Sequence, residues 1–255
     1  MTAAAKEAPL ELRPDGPALR RARLRLDIAM CVFGAAALLK LAFLAMVVVG
    51  TRQLDAAILH DGLGKVPASE LWLLHLGIRY GALGDYILPI VAVVAFLCAM
   101  GQGRFVAESC AVPAMRHSLG WTIGSVIIPL LNLWRPWIGF SEIRRAVLGV
   151  AASGRPAMLE PPSGATLLLA IVFIGGSAGL RALDRQIDQL RPPSDQASYL
   201  AFASSGESLL QASLLVCLLI YATMFIYLFT IRQAAIAIDR ASTGPARLPP
   251  SVRLA

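Results

Sequence analysis

Asn132, Arg135 and Glu142 bring polar chemistry to the end of an otherwise apolar stretch, residues 119–134. An arginine there offers a planar fork of N–H donors, which grips a lipid phosphate bidentately or pins the segment by pairing with Glu142. Asn132 has the groups to satisfy backbone left unbonded around Pro129. The structural alternative makes Trp121, Trp134 and Trp137 interfacial anchors, with Arg135 snorkelling to water. A second constellation is Lys40, inside the first apolar run, and Asp85, near the outer end of the next. A lysine centred in a bilayer costs about 2.5–3.5 kcal/mol on insertion scales, so it calls for a partner. Two helices running in opposite directions would bring Asp85 to a similar depth. The pair then holds the helices in register or serves as a proton or ion relay. Gly175 and Gly179 make a G-x-x-x-G step, which lets a neighbouring helix backbone approach closely, within the chain or in another subunit.

Against these stands an absence of catalytic signatures. No G-x-S-x-G, H-E-x-x-H or phosphate-binding glycine loop occurs. The histidines (His60, His75, His117) are scattered, and Cys31, Cys98, Cys110 and Cys217 have neither metal-ligand nor redox spacing. The reading is therefore non-enzymatic, with no metal and no cofactor.

The elements that must position these residues follow from composition. Of 255 residues, 57% are hydrophobic and only 15% charged, too little charge to cover a soluble domain. The apolar residues gather into runs, as in helices facing lipid. Spans are expected at about 28–50, 80–101, 165–183 and 209–231, in one membrane domain over 27–231. At 1.5 Å per residue the first covers about 34 Å, enough for a hydrocarbon core of about 30 Å. Pro89 is expected to kink the second. Residues 1–26 form a basic segment whose part after Gly16, LRRARLRLD, reads either as a short interfacial helix on anionic lipid or as a flexible tail. Residues 232–255 read as a basic tail ending in disorder. Arginines and aspartates alternate in RALDRQIDQLRPPSD, a solvated helix extension stopped by Pro192-Pro193. A net charge of +7 raises the question of nucleic acid, but the basic residues flank apolar runs and form no stripe with interleaved aromatics, so nucleic acid is excluded as a partner.

Residues 119–136 are short for a span and contain Pro129. Lysines and arginines in short loops favour the cytoplasm, and this tests the alternatives. If the segment does not cross, sixteen of the 23 basic residues lie inside and six outside, with Lys40 in a span. If it crosses, the two sides hold eleven each and the bias disappears. The expected fold is an all-α integral membrane protein: four transmembrane helices plus a short re-entrant or interfacial broken helix. It sits in the bacterial inner membrane with both termini cytoplasmic.

The most distinctive stretch is LGWTIGSVIIPLLNLWRPWIGFSEIRRA, residues 119–146. Its Gly120-Trp121, Gly124, Pro129, Asn132, Arg135-Pro136 and Glu142 resemble the pattern G-W-x-x-G, P-x-x-N-x-x-R-P and a following glutamate of a bacterial membrane family, domain of unknown function 4328. Members of that family tend to carry a W-x-Y-R-x-x-x-N-like motif at the end of the preceding helix. Here the stretch reads LCAMGQGRFVAES, without the tryptophan and asparagine. The resemblance implies architecture and supplies no activity. The function expected is an accessory or scaffold subunit that packs against another membrane protein, a second copy of itself, or lipid. The alternative is a small oligomeric transporter or channel in which the broken segment, Lys40 and Asp85 line a pathway.

Overall fold

The computed structural model describes residues 16–61, 83–108, 135–153, 164–189 and 196–243, with 76, 80, 118, 120–122 and 124. The described residues form helices: α1 (Gly16–Asp61), α2 (Leu88–Glu108, entered through a π-helical turn, Leu83–Ile87), α3 (Arg135–Ser153), α4 (Gly164–Gln189) and α5 (Gln196–Thr243). Four stretches within them are long and apolar enough to cross a membrane: Pro17–Ile58, Leu88–Glu108, Gly164–Ile187 and Ser204–Arg240. The protein is an all-α membrane protein.

Helix ends follow from the local sequence. Pro17 and Pro136 sit in the first turns of α1 and α3, where the missing N–H has no helical partner to lose and the fixed φ suits a helix. Gly244-Pro245 follows α5 and Pro192-Pro193 follows α4, both helix-stopping signals. α1 and α5 run well past the apolar stretches that announce them. The basic stretch after Gly16 is the first part of α1 itself, rather than a separate interfacial helix or a tail. Residues 51–61, 196–208 and 232–243 are helical as well, and α3 occupies residues that hydropathy reads as loop. Lipid selects apolar residues only over its own thickness, while alanine, leucine, arginine and glutamine propagate a helix on either side of it.

The chain divides into two compact units. The larger comprises Ile28–Ala99 and Pro162–Phe229. Among the described residues, all the exposed large hydrophobic side chains except Leu24, Phe105, Trp121 and Ile138 belong to it, among them Leu38, Ile90, Ile171 and Ile226. Its interior is lined with small residues: Ala36 and Ala37 of α1, Ala92, Ala95 and Ala99 of α2. Lipid tails are as apolar as a leucine side chain, so helices in lipid gain little from burying grease. They associate through close packing, which alanine permits. Phe33 fills the centre, fully buried, with its ring centroid 6.2 Å from those of both Phe96 and Tyr221.

Contacts within this unit give the helix directions. Gly34 approaches Phe225 and Arg52 reaches Glu207, so α1 and α5 are antiparallel. Phe33 meets Phe96 while Phe43 packs on Gly84, so α1 and α2 are antiparallel. Thr166 Oγ1 lies 3.0 Å from Tyr227 Oη, and Gly176 packs on Ile220, so α4 and α5 are antiparallel too. α1 and α4 thus run one way, α2 and α5 the other.

The second unit comprises Met1–Asp27, Met100–Pro161 and Thr230–Ala255. Apolar positions recur at helical spacing in its parts of α1, α3 and α5: Leu19, Ala22 and Leu26; Phe140, Ile143, Val147 and Val150; Ile231, Ala234, Ala235 and Ile238. Gly103 of α2 admits the close approach, since a Cβ there would lie 3.0 Å from Ile231 Cγ2 and 3.4 Å from Ile143 Cγ2. Arg144 Nε donates to Thr230 Oγ1 at 3.3 Å, tying α3 to α5.

Candidate functional site

In the larger unit the chemistry centres on Lys40. Its side chain is buried, 7% exposed. About 37 Å of helix separates Asp27 from Arg52 at a rise of 1.5 Å per residue, and Lys40 falls midway. It lies near the middle of the apolar run 28–50, where a cation in a spanning helix is most costly. Asp85 lies in the π turn, and its side chain is outside the described residues. The backbone beside it is well placed. A Cβ on Gly84 would lie 2.5 Å from Phe43 Cδ1, so the π turn rests directly on α1 less than one helical turn from Lys40.

The π turn has a local cause. Pro89 has no N–H to give the carbonyl of Asp85, four residues earlier, and its ring would clash with that carbonyl in an α-helix. The backbone relieves the clash by widening. π-helical turns are concentrated at functional positions because they redirect a side chain and loosen backbone bonding. Above this level Arg52 Nε donates to Glu207 Oε1, and Gln211 Nε2 donates to the same oxygen at 2.6 Å.

In the other unit two reciprocal ion pairs clamp α1 to α5. Arg23 Nη1 donates to Asp239 Oδ2, and Arg232 Nε donates to Asp27 Oδ1 at 2.5 Å. Each helix thus contributes one cation and one anion. Hydropathy gives no hint of this, since the partners lie more than two hundred positions apart in the chain. Both side chains of the Asp27–Arg232 pair are about one-third exposed, so solvent screening keeps each contribution modest. Asp27→Arg alone sets two arginines against each other. It is expected to lower the unfolding temperature in detergent, and Asp27→Arg with Arg232→Asp is expected to recover most of the loss. The coupling should be about 0.5–3 kcal/mol. Thermal unfolding of both single variants and the double variant measures it, and purely additive effects would refute the clamp.

The motif stretch occupies this unit as well. Ser118 caps a short helical turn: its Oγ accepts from the Trp121 N–H at 3.1 Å, and its carbonyl accepts from the Thr122 N–H at 3.0 Å. Thr122, 3% exposed, then packs on Gly139 of α3, where a Cβ would lie 2.5 Å from Thr122 Cγ2. This contact joins the two halves of the motif through residues that the resemblance does not single out. Trp121 is 44% exposed. Trp137 is buried, edge-on to Phe140 at 5.8 Å between centroids, and is a packing residue rather than an interfacial anchor. Glu142 is half-buried on α3. Asn132, Trp134 and the Arg135 side chain lie outside the described residues, as does most of the segment expected to be re-entrant.

Among the described residues, Gly175 and Gly179 meet no neighbouring helix within the chain. The close approach falls to Gly176, where a Cβ would lie 2.8 Å from Ile220 Cδ1. A Cβ on Gly175 or Gly179 meets nothing within 4 Å among the described residues. No group of three or more metal-ligating side chains occurs among the described residues either.

Residues 66–168 match the family described as "Domain of unknown function (DUF4328)". The match takes in the π turn, α2, the Ser118 turn, α3 and the start of α4, together with every residue of the G-W-x-x-G, P-x-x-N-x-x-R-P and glutamate pattern. No curated protein and no solved structure matches the chain.

Proposed function

We propose, for a chain whose residues 66–168 match a family with no assigned activity, a non-enzymatic role as an accessory or scaffold subunit that packs against another membrane protein. The supporting observation is the outward face of α4. Only 17% of its apolar stretch is buried, against 50% in α2. Gly175 and Gly179 lie on that open side, beside Ile171 at 61% exposure. Glycine exposed to lipid contributes nothing to solvation there, but at a helix–helix interface it lets backbones approach. The orientation proposed puts both termini in the cytoplasm of a bacterial inner membrane, on the strength of sixteen basic residues at that end against six at the other.

Two substitutions one position apart separate this role from mere self-packing. Gly175→Leu is expected to leave unfolding temperature unchanged while shifting the mass in mild detergent from complex to single chain. Gly176→Leu is expected to destabilise the chain itself by about 1–3 kcal/mol, because it collides with Ile220. A wild-type chain that runs alone as a monomer under every mild condition would count against the scaffold reading.

A second reading, a small oligomeric transporter, is favoured by the buried position of Lys40 within an apolar run. Flux into proteoliposomes that disappears with Lys40→Ala would select it over the first.

A further inference from the structure

No further inference is drawn: the strongest candidate, the open apolar face of α4 around Ile171, Gly175 and Gly179, belongs to the surface already described, and nothing among the described residues shows what covers it.

Discussion

Lys40→Met is expected to lower the stability of the detergent-solubilised protein, and Lys40→Met with Asp85→Asn is expected to restore it. Two effects oppose one another, and their magnitudes decide the sign. Removing a centred lysine relieves an insertion cost of about 2.5–3.5 kcal/mol. Leaving a buried carboxylate without its cation costs about 3–5 kcal/mol. If Lys40 pairs with Asp85, the second term outweighs or cancels the first in the single variant and vanishes in the double variant. The double variant should then match or exceed the wild type. If Lys40 is held by other groups, Asp85→Asn should give no rescue. Thermal unfolding of the four proteins decides it, and a Lys40→Met protein as stable as wild type with no rescue on top would remove the pair. The contact of Gly84 with Phe43 is what makes the experiment worth doing, because it fixes the π turn against α1 at the right level. The same four proteins in proteoliposomes also separate the two functional readings. A structural pair is dispensable once both charges are gone, whereas a proton or ion relay does not survive their joint removal.

Much of this architecture is visible in the residues alone, and the boundary of what is visible has a physical basis. Lipid imposes a length and a hydropathy on four stretches, so residues 28–50 or 209–231 announce themselves. Their continuation does not, because a helix outside lipid needs no run of apolar residues. α3 shows this most clearly. Its Phe140, Ile143, Val147 and Val150 have helical spacing, but the intervening arginines and glycines lower its hydropathy to that of a loop. The chemistry divides in the same way. Lys40 is conspicuous because charge inside an apolar run is expensive, whereas Arg23, Asp27, Arg232 and Asp239 look like ordinary flanking charges until α1 and α5 are set antiparallel. G-x-x-x-G spacing identifies one side of α4 without saying which side meets its neighbour. The packing puts Gly176 against Ile220 and leaves Gly175 and Gly179 with no contact among the described residues.

The contact between Thr122 and Gly139 lies inside the stretch that matches the family, and it gives the sharpest test of what that stretch does structurally. A Cβ at Gly139 would lie 2.5 Å from Thr122 Cγ2, 2.6 Å from Oγ1 and 3.1 Å from Cβ. Rotating the threonine exchanges one offending atom for another and leaves its Cβ in place. The backbone of the turn must therefore move. It is held by Ser118, which accepts from the Trp121 and Thr122 N–H groups and from Thr122 Oγ1 at 3.1 Å. Gly139→Leu is thus expected to cost about 1–3 kcal/mol, the range for forcing extra volume into a packed site. Hydrogen exchange around residues 118–122 should rise with it. Gly120→Ala and Gly124→Ala have nothing within 4 Å of the added carbon among the described residues and should cost far less. Second-site relief has a predictable order. Thr122→Ala removes two of the three colliding atoms and should rescue Gly139→Ala in part, while Thr122→Gly removes all three and should relieve the collision fully. Gly139→Ala as stable as wild type, with exchange at 118–122 unchanged, would mean that the turn does not rest on α3. The two halves of the motif would then have to be placed by something else.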